Sequence, residues 1–233
     1  MLKKLDAKNM FVSDLGWLQS RFHFSFAEYR NLNNMNFGVL RVLNDDIVHA
    51  KEGFGEHPHK NMEIITYVVD GELSHQDSMG NKEALSAGNV QYLSAGTGIT
   101  HSEMNDSDKK SRFLQIWIVS PQNDTKPIYG SLKYEKEESV NKLLNIVSSQ
   151  SGDAQIKIHQ DVNIFVSRLD ANQSISVNIK ENRQIYFVQI EGTSTINEVE
   201  LHHGDAMEIT KESKIDINAI SDSHFLFIEM KES

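Results

Sequence analysis

Cysteine is absent from the chain. Disulfides, thiolate ligands and cysteine nucleophiles are therefore excluded, and any bound metal must draw on histidine, carboxylate, backbone oxygen or water. Clustered positive charge is missing too. Formal net charge is −10 over 233 residues, with no run of Lys and Arg to neutralise phosphates, which argues against direct nucleic-acid contact and against anionic membranes. No apolar stretch approaches the roughly 20 residues of a membrane-spanning helix, and Met1 to Phe11 lacks a core of signal-peptide length. The expectation is a soluble cytoplasmic protein. Proline occurs three times, at Pro58, Pro121 and Pro127.

What is present has mostly the period of strands. Phe22 to Phe26 alternates, and Phe37 to Leu43 is a β-rich run that Asn44-Asp45-Asp46 should end in a turn. Met62 to Val69 stops at Asp70-Gly71, a hairpin signal. Ser78 to Asn81 reads as a further turn, and Phe113 to Val119 as a buried strand closed by Pro121. One short helix is expected near Glu135 to Leu144, inside the charged stretch Lys133 to Lys142. Strand signals resume at Leu143–Ser148, Ile156–Ile158, Asn163–Leu169, Ser174–Ile179, Gln184–Ile190, Glu198–Leu201 and His224–Met230. Many short strands at regular intervals predict an all-β sandwich or barrel architecture. The division into domains is expected at 1–132 and 133–233.

The halves look like copies of one unit. Val68-Val69-Asp70-Gly71 is followed by Leu85-Ser86-Ala87-Gly88-Asn89, and Gln189-Ile190-Glu191-Gly192 by Leu201-His202-His203-Gly204-Asp205. Each shows a strand, an acidic-Gly turn, then Leu-x-x-Gly.

Two segments carry chemistry. In Gly53-Phe54-Gly55-Glu56-His57-Pro58-His59, residues two apart on a strand share a face, so His57 and His59 project side by side. Pro58 has no N–H and belongs on an edge or at a bulge, and a bulge would disturb that parity. In Gly96-Thr97-Gly98-Ile99-Thr100-His101-Ser102-Glu103, His101 and Glu103 repeat the arrangement. Gly53, Gly55, Gly96 and Gly98 would ease the backbone beside the ligands. Three imidazoles and a carboxylate suit Fe(II), Mn, Ni, Cu or Zn better than Ca or Mg. Four ligands on an ion that prefers six leave room for substrate and O₂.

These residues resemble the cupin signatures: His57-x-His59-x3-Glu63 matches the first motif, with Gly71 closing it one residue late, and His101-x3-Asn105 matches the end of the second. The usual Pro-x-Gly of the second is replaced by Ser94-Ala95-Gly96-Thr97-Gly98. More specifically, Gly53 to Val68, Leu73 to Asn81, Ser94 to Asn105 and Leu114 to Ile118 are similar to the pirin family of bicupins, most closely to bacterial members that act as quercetin 2,3-dioxygenases. The resemblance is dense from Phe37 to Tyr129 and looser beyond.

It implies two double-stranded β-helix (jelly-roll) barrels, the N-terminal one holding the metal and the C-terminal one degenerate and metal-free. Counting back from Gly192 as His57 and His59 stand before Gly71 reaches Asn178 and Lys180, neither a histidine. The resemblance also implies one divalent transition metal, usually iron, on His57, His59, His101 and Glu103, with Zn, Mn, Ni, Co or Cu as alternatives. Glu63, a ligand in many cupins, is then not one here and reads as a carboxylate near the site. His75 and Phe54 are weaker pocket candidates, and Trp117 is expected in the core. The implied activity is cleavage of a flavonol such as quercetin with O₂, releasing carbon monoxide, with Glu103 as general base. The alternative is a metal-containing, redox-sensitive regulatory protein with a protein partner, and a metal-dependent isomerase or hydrolase stands third. A chain of two self-closing barrels is expected to be monomeric.

Overall fold

A computed structural model describes residues 1–232. The strands in chain order are β1 (Leu2–Leu5), β2 (Phe11–Asp14), β3 (Leu18–Phe22), β4 (Leu40–Val48), β5 (Gly53–His59), β6 (Met62–Asp70), β7 (Glu72–Asp77), β8 (Lys82–Ser86), β9 (Val90–Ser94), β10 (Ile99–Met104), β11 (Ser111–Val119) and β12 (Ile128–Leu132). They continue as β13 (Leu144–Ser149), β14 (Ile156–Ile158), β15 (Val162–Leu169), β16 (Ser174–Asn178), β17 (Arg183–Glu191), β18 (Ser194–Ile196), β19 (Val199–Leu201), β20 (Ala206–Ile209), β21 (Lys214–Ala219) and β22 (Ser223–Lys231). Among the described residues no helix is long and apolar enough to cross a membrane.

The chain forms two compact units, Phe11–Tyr134 and Met1–Met10 with the residues from Glu135 onward. Each is a bicupin half, a seven-stranded sheet with a four-stranded one. In the first unit the orders are β12-β9-β6-β11-β4-β3-β2 and β5-β10-β7-β8; in the second they are β1-β20-β17-β22-β15-β13-β14 and β16-β21-β18-β19. The second unit's core joins Ile185, Phe187, Phe225 and Phe227 of its large sheet to Ile196, Leu201, Ile215 and Ile217 of its small one, so the two sheets bury their apolar faces against each other.

The internal repeat reaches down to single hydrogen bonds. Gly71 and Gly192 turn the chain after β6 and β17 at φ +77° and +76°, a region open to glycine at little cost. Gly88 N–H donates to Val68 O and Gly204 N–H to Gln189 O, while Val68 N–H donates to Asn89 O and Gln189 N–H to Asp205 O. The same two strands are tied to the same Leu-x-x-Gly turn in both units.

Four sequence expectations are corrected. The first ten residues belong with the second unit, because β1 pairs antiparallel with β20 and Lys4 meets Asp205 at 2.9 Å. The expected helix is only a 3₁₀ turn, Lys136–Ser139, stopped short because its charged sequence offers no apolar stripe to bury. The Phe22–Phe26 alternation leaves the sheet at Phe22. Asn44-Asp45-Asp46 does not turn but lies inside β4. Asp45 accepts two bonds from Arg112 at 2.8 and 2.7 Å, and Asp46 accepts one from the Ser20 hydroxyl. Burial would push the Asp45 carboxyl up, but the hydrogen bonds and charge of Arg112, with Arg21, hold it below the usual carboxylate value.

Candidate metal centre

Strand β5 lies at the edge of its small sheet and pairs only with β10, so Pro58 needs no donor on its outer side. The register sets His101 opposite His57, Thr100 opposite Pro58 and Ile99 opposite His59. The one irregularity falls between His101 and Glu103, where Glu103 stands opposite Phe54. The bulge therefore ends before His57, and the parity of His57 and His59 survives. Both are half-buried while Pro58 and Glu56 are exposed. Gly53 has a clear steric reason: a Cβ there would collide with the backbone carbonyl of Glu103. Gly55 has none, since a Cβ on it would meet open space.

The three imidazoles converge. Ring centroids are 4.8 Å apart for His57 and His59, 4.5 Å for His57 and His101, and 4.9 Å for His59 and His101. One nitrogen from each lies within 4.8 Å of the others. His57 Nδ1 sits 2.8 Å from Gly55 O; a carbonyl only accepts, so Nδ1 carries the proton and Nε2 keeps its lone pair. Burial, then the neighbouring imidazoles, pushes His59 down to about 4 and His101 to about 3. Both are neutral near pH 7, the form that ligates a metal.

His101 provides the test of fit. It is 1% exposed, and neither ring nitrogen has a hydrogen-bond partner. A buried imidazole without a partner is costly, and an ion among the three rings would satisfy it. The donor set suits a borderline transition-metal ion.

Glu103 stands beside this cluster rather than inside it. Its carboxylate, 2% exposed, accepts from Thr66 Oγ1 at 2.9 Å, Gln115 Nε2 at 2.8 Å and Gln91 Nε2 at 3.4 Å. Three donors fix its orientation.

His57, His59 and Glu103 share a cavity of about 340 Å³ whose walls include Trp17, Phe22, Phe26, Phe54 and Trp117. That is the size and apolar character of a small-molecule site. Phe54 lines it as expected. Trp117 packs on a core cluster and also lines the cavity, its ring edge-on to His59 at 4.8 Å. His75 does not line the cavity: it lies 5.4 Å from His101, is stacked on Tyr129 and bonded through Nε2 to Asp77 at 3.1 Å. Glu63 is fully buried and accepts from Tyr92 at 3.0 Å and Ser94 at 3.4 Å, away from the cavity.

Sequence reasoning missed Trp17, Phe22, Phe26, Asn44, Asp46 and Gln115. Gln115 was within reach, since it shares a strand face with Trp117. Asn44 and Asp46 were hidden by their resemblance to a turn. Asp46 is buried, and its carboxyl is pushed up to about 8 by burial, with the charges of Asp45 and Glu103 adding to the rise against the Ser20 bond.

The second unit departs at the same place. Its strands β16 and β21 occupy the positions of β5 and β10, and the paired residues are Ile175 with Ile217 and Val177 with Ile215, all packed in the core. Asn178, reached by counting, is exposed and points the other way. Isoleucine and valine offer no ligand atom.

A histidine cluster on one jelly-roll barrel, with apolar side chains at its twin's matching positions, defines a bicupin with a candidate metal site in its first barrel. The comparisons agree. A family model described as Pirin matches residues 4–118, and one described as Quercetinase C-terminal cupin domain matches 145–230. The chain belongs to the pirin family. It is 41% identical to a quercetin 2,3-dioxygenase of Escherichia coli K12 over 92% of both chains. It is 39% identical to a putative quercetin 2,3-dioxygenase of Zymomonas mobilis over 98% of this chain and 97% of that one. Crystal structures of YhhW from Escherichia coli superpose at a TM-score of 0.95, and at 0.94 for the bacterial pirin in complex with nickel(II); both are 38% identical and cover 100% of this chain and 99% or 100% of theirs.

Proposed function

We propose that this chain is a metal-dependent dioxygenase that cleaves a flavonol such as quercetin with O₂. The observation that carries the reading is the cluster of three converging histidines, of which His57 and His59 open onto an aromatic-walled cavity that also holds a buried carboxylate. The names of the relatives support the same chemistry.

His57, His59 and His101 would hold the metal, with Glu103 completing the set. When bound, a divalent transition metal, which we take to be iron(II), supplies Lewis acidity and a path for electron transfer between flavonolate and O₂. The protein's own groups do the rest. Trp17, Phe54 and Trp117, which line the cavity, offer a planar aromatic an apolar surface to lie against. Their apolar walls exclude water from the reacting ring. Glu103 accepts the proton of the flavonol hydroxyl, and the amides of Gln115 and Gln91 with the Thr66 hydroxyl hold it for that task. Both atoms of O₂ enter the ring-opened ester, and one ring carbon leaves as carbon monoxide.

The test is anaerobic addition of quercetin to iron-loaded protein. A shifted flavonol absorption band is expected, followed on admitting air by bleaching and carbon monoxide release. No band shift, or bleaching without oxygen uptake, would overturn the reading.

A further inference from the structure

Most polar groups around the cavity are already engaged. The Ser20 hydroxyl is given to Asp46, Gln115 Nε2 to Glu103, and the one hydrogen of the Thr66 hydroxyl is shared between Glu103 at 2.9 Å and Gln115 Oε1 at 3.2 Å. Asn44 is not so engaged. It lines the cavity, is 3% exposed, and its Oδ1 is buried without a donor. A buried carbonyl oxygen left unpaired is costly, so the position demands an explanation.

Placement supplies one. Asn44 pairs across β4 and β11 with Gln115, the residue whose amide anchors Glu103. The orphan acceptor thus stands one strand away from the anchor of the proposed base. Trp117, two residues along the same face of β11, has its Nε1 buried without an acceptor. Asn44 and Trp117 thus both line the cavity, and each holds one polar atom, sealed from water, that the protein leaves without a partner.

We propose that Asn44 is a specificity-determining residue whose carboxamide oxygen accepts a hydrogen bond from a second hydroxyl of the bound aromatic, distinct from the one that gives its proton to Glu103. The inference rests on the flavonol reading and narrows it: the preferred guest is a planar aromatic carrying at least two hydroxyl groups. A site built to pair a substrate hydroxyl discriminates strongly against the analogue that lacks it, because that analogue leaves the buried acceptor unpaired.

Both tryptophans of the chain line this cavity, so intrinsic fluorescence reports its occupancy without turnover. The experiment is anaerobic fluorescence titration of metal-loaded protein with quercetin and with 3-hydroxyflavone, which keeps the reacting hydroxyl and lacks the others. Wild type should bind quercetin about tenfold or more tighter. Asn44→Leu, similar in size but without an acceptor, should lose about tenfold for quercetin and leave 3-hydroxyflavone unchanged. Asn44→Ala, confirmed at wild-type metal content, carries the same expectation should the leucine variant fold poorly. If both variants keep the preference, or weaken both ligands in parallel, the assignment of Asn44 is overturned and the flavonol reading stands. If wild type binds neither compound, the flavonol reading falls and takes this inference with it.

Discussion

Asp46 shows how much one residue's meaning depends on its surroundings. In sequence it closes a run of turn formers, Asn44-Asp45-Asp46; in the fold it is a buried carboxyl in the cavity wall. Its ordinary value of 3.8 is raised to about 8, so the folded chain keeps a proton that the unfolded chain has lost throughout that interval. Stability from this group is complete below about pH 4 and drains away as pH rises toward 8. Asp46→Asn keeps an oxygen for Ser20 and cannot ionise. The metal-free variant should therefore gain thermal midpoint on wild type steadily from pH 5 to 8.5, and parallel curves would refute the buried, protonated state. His101 teaches the complementary lesson. Its spacing from Glu103 flagged it in sequence, but only the structure reveals that neither ring nitrogen is satisfied. Asn44 carried no signal, because burial of a polar group is a tertiary fact.

The element that makes the site is the β5–β10 pair. An edge strand with a bulge is a place where pairing can be re-aimed, and here the bulge falls just ahead of His57. Close approach of the two backbones depends on Gly53. Gly53→Ala would press a Cβ against the carbonyl of Glu103, at a cost of about 3 kcal/mol, and would push β10 away from β5. We expect reduced metal content together with a lowered thermal midpoint, read by elemental analysis and calorimetry. Normal metal content in a destabilised variant would show that the histidines do not depend on this strand spacing. Strand parity around His57-Pro58-His59 was legible in sequence because period two is a local property. The extent of β4 was not: its aspartates become strand residues only when Arg112 and Ser20 arrive from other strands. The expected helix near Glu135 failed for a related reason, since a capping box starts a turn but cannot sustain a helix without an apolar face.

At the scale of the whole molecule, duplication was visible in two acidic-Gly turns and two Leu-x-x-Gly turns, and the hydrogen bonds at Gly88 and Gly204 bear it out. The pairing of Leu2–Leu5 with β20 was invisible, because it joins residues about two hundred positions apart and no local pattern encodes such a partner. The two barrels have diverged at a single functional face. The β5–β10 pair of one carries His57, His59 and His101, while the β16–β21 pair of the other packs Ile175, Val177, Ile215 and Ile217 into its core, so ligation and core packing are alternative uses of the same strand pair. Anomalous diffraction from crystals of metal-loaded protein examines that division directly. The account predicts one strong peak per chain, at ligand distance from His57, His59 and His101, with a side open to the aromatic cavity. A peak in the second barrel, or none among the three histidines, would contradict it.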